Sequence, residues 1–165
     1  GYTNAGKSTL LNALTRQSAV YADDKLFATL DPTTRRVHMP AGGEMLFTDT
    51  VGFIQKLPHS LVSSFRATLE ETTFADVILH VQDASSPHLD EQAATVRRII
   101  TELGVQDTPI IDVLNKTDLL SPARRRLLKE QYPQGVLISA GQSSGLTELL
   151  EKWKKPSPAA GNCTA

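Results

Sequence analysis

The sequence has a single cysteine, few aromatic side chains and no long hydrophobic run. Among its 165 residues only Cys163 is a cysteine, which excludes an internal disulfide and fits a reducing cytosol. No apolar stretch reaches the roughly eighteen residues that a membrane helix needs, and no secretory signal is visible. A formal net charge of −1 gives no bulk attraction to nucleic acids or membranes. These features predict a cytoplasmic domain that contacts no membrane and is large enough to bury one core. We also expect the domain to be monomeric.

A phosphate-binding loop occupies residues 1–8, which read Gly-Tyr-Thr-Asn-Ala-Gly-Lys-Ser. In the pattern G-x-x-x-x-G-K-[ST], backbone N–H groups surround the phosphates of a nucleotide. Lys7 is expected to reach the β- and γ-phosphates, and the Ser8 hydroxyl to hold Mg²⁺. The helix that starts at Lys7 directs the positive end of its dipole towards the anion. Chance produces this match about once in two hundred chains of this length, so an ordinary glycine turn is a poor alternative.

The loop begins at the first residue of the sequence, and no initiator methionine precedes it. A phosphate loop normally follows a buried parallel strand. We therefore expect a partial domain whose first, central strand is missing from the sequence.

Hydrophobic periodicity predicts helices that alternate with strands. Helices are expected over residues 7–16, 60–72, 90–103, 122–132 and 145–154, and strands over 36–39, 44–48, 77–81, 109–114 and 136–139. The turn at 40–43 is short enough to join the first two strands into an antiparallel hairpin. The remaining alternation predicts an α/β fold, a mostly parallel sheet with helices on both faces, whose ligands bind at the carboxyl ends of the strands. This domain is expected over 1–155, before a disordered tail at 156–165.

An acidic residue follows the apolar strand that ends the hairpin. The segment Asp49-Thr50-Val51-Gly52 has the Walker-B arrangement, in which an aspartate holds Mg²⁺, commonly through water. The N–H of Gly52 would then face a γ-phosphate. Such a segment by itself is usually a strand-to-turn junction, but the phosphate loop earlier in the chain favours the functional interpretation.

The strand at 109–114 ends in Asn115-Lys116-Thr117-Asp118, a guanine-reading motif. The Asp118 carboxylate can accept hydrogen bonds from N1–H and the N2 amine of guanine. Adenine would leave this charged acceptor unpaired, so we expect GTP to be strongly preferred over ATP. Asn115 can bond guanine and tie this loop to the phosphate loop, while the stem of Lys116 can stack on the base. As an alternative, Asp118 caps the next helix, which explains the residue types but not their position.

Two weaker signals complete the pattern. Ser139 and Ala140 end the last strand, where a backbone N–H can meet guanine O6, although small residues suit any tight turn. Between the first helix and the hairpin, a loop can close over the γ-phosphate. Judged by side-chain chemistry alone, any of three threonines in this loop could complete the Mg²⁺ shell: Thr29, Thr33 or Thr34.

Taken together, these residues resemble the P-loop NTPases of the small G domain class. Within that class they closely resemble the HflX GTPases. The resemblance is carried by GYTNAGKS at residues 1–8, LFATLDPT at 26–33, DTVGFI at 49–54 and LPH at 57–59, and covers roughly residues 1–120. It implies that Thr29 is the switch threonine and that the parent protein is a ribosome-associated GTPase that binds the large ribosomal subunit. The family's N-terminal domain and C-terminal extension are absent from this sequence, so we expect ribosome action to belong to the longer parent protein.

The predicted site therefore has three overlapping sets of residues. Those expected to bind GTP or GDP are Gly1, Tyr2, Thr3, Asn4, Ala5, Gly6, Lys7, Ser8, Thr9, Asp49, Gly52, Asn115, Lys116, Asp118, Ser139 and Ala140. Those expected to hold Mg²⁺ are Ser8, Thr29 and Asp49, and those expected to support hydrolysis are Lys7, Thr29 and Gly52.

Phe53 follows the glycine of the second switch, where many G proteins carry a water-orienting glutamine. A phenyl ring cannot hydrogen-bond water. We therefore expect GTP hydrolysis to be slow without a ribosomal partner. The alternative is a nucleotide-dependent binding module with negligible intrinsic turnover.

Three other features have simpler interpretations. His80 lies within a strand and is predicted to be a hydrogen-bonded core histidine. Arg35 and Arg36 form either a solvated strand edge or an arginine finger. The basic run at 124–126 is interpreted as a solvated helix face, with a contact to rRNA phosphates as the alternative.

Overall fold

Alternating hydrophobic segments become alternating strands and helices in the computed structural model, which describes residues 1–19, 34–40, 42–50, 75–102, 104–105 and 108–152. The helices are α1 (Lys7–Ala19), α2 (Leu89–Glu102), α3 (Pro122–Gln131) and α4 (Leu146–Lys152). The strands are β1 (Thr34–His38), β2 (Glu44–Thr48), β3 (Ile78–Asp83), β4 (Ile110–Asn115) and β5 (Val136–Leu137). A short 3-10 helix (Thr117–Leu119) follows β4. The predicted helix at 60–72 and the predicted tail lie outside the described residues.

The strands form a parallel sheet and a hairpin. β3, β4 and β5 are adjacent in that order, and both pairs run parallel. β1 and β2 pair antiparallel, with Thr34 opposite Thr48. Gly42 and Gly43 close the hairpin with φ values of 87°, a conformation that glycine adopts without strain. The predicted α/β fold class is confirmed.

Helices α1 and α4 cover one face of the parallel sheet. Val81 and Val113 project from β3 and β4 into a cluster with Leu10 and Leu14 of α1 and Leu146 of α4. Val37 of the hairpin is buried in the same cluster. Among the described residues this is the largest apolar cluster, and it places the first turn of α1 beside the ends of the strands.

Helices α2 and α3 cover the other face through two smaller clusters. Val96 and Ile100 of α2 pack with Ile78 and Ile110 at the amino ends of β3 and β4. Nearer the carboxyl ends, Leu128 of α3 packs with residues that include Leu114 and Ala84. Burial of both faces accounts for the apolar character of these strands.

A polar cluster lies between these two apolar clusters. His80 is 2% exposed, and its Nδ1 lies 3.1 Å from Oδ1 of Asp112. Gln82 donates to the same oxygen at 2.8 Å, and Arg97 donates to Oδ2 at 2.5 Å. Burial lowers the pKa of His80, although the hydrogen bond to Asp112 opposes this effect. His80 is therefore a hydrogen-bonded core histidine, as predicted.

The helix ends follow capping chemistry that is readable in the sequence. The Ser121 hydroxyl accepts a hydrogen bond from Arg124 N–H at the start of α3, as an N-cap does. After α2, Gly104 has φ 76° and donates to Thr101 O, while Val105 donates to Ile100 O. This pair of bonds is a Schellman motif, in which Gly104 takes the left-handed position that ends the helix.

Several predicted boundaries were wrong by a few residues. β3 runs to Asp83 and not to residue 81, because its last residues pair in register with β4 as far as Asp83 opposite Asn115. β5 ends at Leu137, because Ser139 exchanges hydrogen bonds with Ser144 in place of β4. Across the described part of the chain, none of the helices combines the length and hydrophobicity required to span a membrane.

Candidate nucleotide-binding site

The loop at residues 1–6 requires glycine at both ends. A Cβ on Gly1 would lie 2.0 Å from the carbonyl oxygen of Val81 in β3. Gly6 has φ 95°, and a Cβ there would lie 2.3 Å from Nδ2 of Asn115. Asn4 is also left-handed, with φ 61°. The loop is therefore pressed against β3 on one side and against Asn115 on the other.

The Lys7 ammonium lies across this loop. It donates hydrogen bonds to the carbonyl oxygens of Gly1 at 3.2 Å and Tyr2 at 2.9 Å. Burial lowers the pKa of Lys7, and the Asp49 carboxylate partly offsets that effect. Phosphate oxygens are better acceptors for a cation than neutral carbonyls, so an anion at the loop can recruit this ammonium.

Ser8 and Asp49 meet although they are far apart in sequence. Ser8 is in the first turn of α1, Asp49 follows β2, and the serine hydroxyl donates to Asp49 Oδ2 at 2.5 Å. Within the described ranges, no group of three or more His, Cys, Asp or Glu side chains is placed to hold a metal ion. One carboxylate beside one hydroxyl is a sparse set of hard oxygen donors, which suits a Mg²⁺ ion that keeps water and phosphate ligands.

Asn115 connects three loops. Its side chain is buried at the end of β4, where Nδ2 donates to Ala5 O at 2.8 Å. Its Oδ1 accepts from Ala140 N–H at 2.9 Å. The phosphate loop, the loop after β4 and the loop after β5 are thus tied together by one amide, including the predicted contact between Asn115 and the phosphate loop.

Asp118 and Ser139 also meet at this edge. Ser139 Oγ donates to Asp118 Oδ1 at 2.6 Å, and Asp118 is exposed at the surface. Helix α3, the next α-helix, takes its side-chain cap from Ser121, so the alternative that Asp118 caps that helix is wrong. The carboxylate is held in place and keeps further acceptor capacity towards solvent.

Lys116 has a partner that the motif analysis missed. Its backbone is left-handed, with φ 63°, and its Nζ donates to Asp83 Oδ2 at 2.6 Å. Burial alone would raise the pKa of Asp83, but hydrogen bonds from Lys116 and Ser85 hold it below its usual value. The available signal was an acid at the end of an apolar strand, the same feature that marked Asp49.

The remaining predicted residues are placed as follows. Thr3 and Thr9 are exposed, in the phosphate loop and in the first turn of α1. Thr29 and Gly52 lie outside the described residues. At the hairpin, Arg35 donates to Asn12 of α1 and Arg36 pairs with Glu44, contacts that fit a solvated strand edge.

Known proteins resemble this chain in sequence. A family model described as 50S ribosome-binding GTPase matches residues 1–116. "GTPase HflX" from Caldanaerobacter subterraneus subsp. tengcongensis is 52% identical over 151 residues, which are 92% of this chain and 34% of that protein. "GTPase HflX" from Escherichia coli K12 is 44% identical over 153 residues, with 92% and 36% covered. The chain therefore spans about a third of the length of these relatives.

A solved structure extends the likeness to the fold. A GTP-binding protein from the archaeon Sulfolobus solfataricus, crystallised in complex with GDP, superposes with a TM-score of 0.71 at 29% identity. The match covers 92% of this chain and 49% of that one.

Proposed function

Because this chain belongs to the 50S ribosome-binding GTPase family, and within it to the HflX GTPases, we propose that it binds GTP and hydrolyses it to GDP. The observation that carries the proposal is the Asn115 amide, which joins the phosphate loop to the loop after β4 and the loop after β5. The groups proposed to bind the base and the phosphates are thereby connected in a single site.

Guanine is recognised by Asp118. Its carboxylate accepts from guanine N1–H and the N2 amine, and Ser139 holds one oxygen in position. The N–H of Ala140 donates to Asn115 Oδ1. Ala140 therefore holds in place the loop that faces guanine O6. Discrimination against adenine follows because adenine leaves the Asp118 charge without donors.

The phosphates are bound by the backbone of residues 1–8 and by Lys7. The ammonium exchanges its two carbonyl acceptors for β- and γ-phosphate oxygens. In a partly buried site this charge interacts more strongly with the phosphates than it would in water. Lys7 thus stabilises the charge that spreads over the γ-phosphoryl oxygens during in-line attack by water.

Ser8 and Asp49 would hold the magnesium ion. When bound, Mg²⁺ neutralises charge that develops between the β- and γ-phosphates. Ser8 would supply the hydroxyl ligand, and Asp49, which accepts from that hydroxyl at 2.5 Å, would orient it and bind the ion through water. Thr29 and Gly52, the proposed γ-phosphate contacts, complete the assignment. It rests on the family resemblance for Thr29 and on the motif at residues 49–52 for Gly52.

Phe53 determines the expected rate. Since its ring cannot orient a water molecule, intrinsic turnover is slow and a partner supplies the missing group. We propose the large ribosomal subunit as that partner, acting on the longer protein in the cytoplasm, with the G domain itself monomeric. A binding module without useful turnover is the alternative that the same residue favours.

The proposed function is tested by nucleotide affinity and single-turnover hydrolysis. Calorimetry should detect binding of GDP but not of ADP. Asp118→Asn should move the preference from guanine towards xanthine nucleotides. Phosphate release from GTP with Mg²⁺ should be slow and should accelerate with large ribosomal subunits. Equal affinity for GDP and ADP would contradict the proposed guanine site. GDP binding without phosphate release from GTP, whether or not large ribosomal subunits are present, would support the binding module.

A further inference from the structure

Asp83 ends β3 beside the guanine motif that ends β4. It lies in register with Asn115, so Lys116 is the next residue past the paired strands. Asp83 Oδ2 accepts from Lys116 Nζ at 2.6 Å. Its other oxygen accepts from Ser85 N–H at 3.0 Å and from Ser85 Oγ at 2.5 Å. Both oxygens of this carboxylate are therefore held by hydrogen bonds.

The backbone of Lys116 is fixed as well. It occupies the left-handed region at φ 63° and ψ 34°, which a lysine rarely adopts. The residues on either side hold it there: the buried Asn115 side chain bridges two loops, and Thr117 N–H bonds Ile138 O at 3.1 Å. With its backbone held, the flexible four-carbon stem is the remaining source of disorder, and Asp83 restrains its free end.

The pair also controls where the positive charge lies. Asp118, the proposed guanine acceptor, is two residues beyond Lys116 and carries the opposite charge. A released ammonium could neutralise that carboxylate and compete with the guanine donors. The Lys116–Asp83 pair is only partly exposed, at 31% and 21% for the two side chains, so solvent screens it less than a surface pair.

We propose that Asp83 is a positioning residue for guanine binding, which holds Lys116 along the base site and away from Asp118. This inference rests on the proposed function and deepens it. Asp83 itself need not touch the nucleotide, because its effect passes through the lysine.

A double-mutant cycle on this chain tests the proposal. GDP affinity is measured by calorimetry for wild type, Asp83→Asn, Lys116→Ala and the double variant. Asp83→Asn should weaken GDP binding about tenfold, the scale of losing one preorganised side chain. In the Lys116→Ala background the same change should have almost no further effect. Asp76→Asn, an exposed charge change just before the same strand, is the matched control and should leave affinity unchanged.

A second variant keeps the test independent of folding. Ser85→Ala removes an exposed hydroxyl that restrains the Asp83 carboxylate and should weaken GDP binding about threefold, again only when Lys116 is present. Equal losses in both backgrounds, or none in either, would overturn the role of Asp83 while the proposed function stands. Failure of wild type to bind GDP would overturn both.

Discussion

Replacing Asn115 by alanine should destabilise the domain even without nucleotide. The side chain is 2% exposed and makes two hydrogen bonds, to Ala5 O at 2.8 Å and from Ala140 N–H at 2.9 Å. Each partner left unpaired costs about 1–3 kcal/mol. Since the loops border solvent and water can reach part of the gap, we expect the lower part of the summed range, about 2–4 kcal/mol. This is a large fraction of the roughly 5–15 kcal/mol that stabilises a typical domain.

Urea denaturation of the nucleotide-free chain measures this loss. The control is Asn12→Ala, which removes an exposed amide of α1 that accepts one bond from Arg35 and should cost no more than about 0.5 kcal/mol. Adding GDP should stabilise wild type more than Asn115→Ala, because the variant no longer connects the two halves of the site. If Asn115→Ala loses no more stability than Asn12→Ala, the amide does not hold the three loops together.

Three further predictions address charge and switching. Lys7→Ala should abolish tight GTP binding, and near-native affinity by calorimetry would contradict its assignment to the phosphates. Thr29→Ala should weaken hydrolysis and GTP-dependent protection in hydrogen exchange while leaving GDP affinity almost unchanged; a large loss of GDP binding would refute the switch role. Burial lowers the pKa of His80 in the folded chain. On acidification the unfolded chain therefore protonates this histidine at a higher pH than the folded chain does. Stability should therefore fall as the pH drops below about 6.5, by at most about 1.4 kcal/mol per pH unit. His80→Gln should flatten this dependence, and an unchanged slope would mean that His80 is not its source.

The fold was predictable because its strands are short apolar runs between helices with readable caps. The helix predicted over residues 90–103 is followed by Gly104 in a left-handed conformation, and the hairpin followed from its short turn. The end of β3 was not predictable in the same way. Gln82 and Asp83 are polar and stop the apolar run, yet both pair with β4. Their side chains find partners in Asp112 on β4 and in Lys116 just beyond it, and sequence patterns do not reveal such partners.

The sequence predicts where the candidate site lies better than it predicts which side chains form hydrogen bonds there. Motifs at strand ends indicate which residues reach one edge of the sheet, since parallel strands end together. They do not indicate which side chains bond there. The Ser139–Asp118 and Asp83–Lys116 bonds depend on strand register and on a left-handed backbone at Lys116. Neither of these properties has a signature in local sequence.

The same bonds bear on how the domain would distinguish GTP from GDP. Asn115 ties the phosphate loop to the loops proposed to read the base. A surface connected in this way suits the parts that GDP and GTP share, namely the base and the α- and β-phosphates. A ligand shifts an equilibrium only through its differential affinity for two states. The sequence assigns the γ-phosphate contacts to Thr29 and Gly52, so we expect the switch at those residues. This assignment predicts that substitutions at Asn115 change the affinity for both nucleotides alike, whereas substitutions at Thr29 separate them.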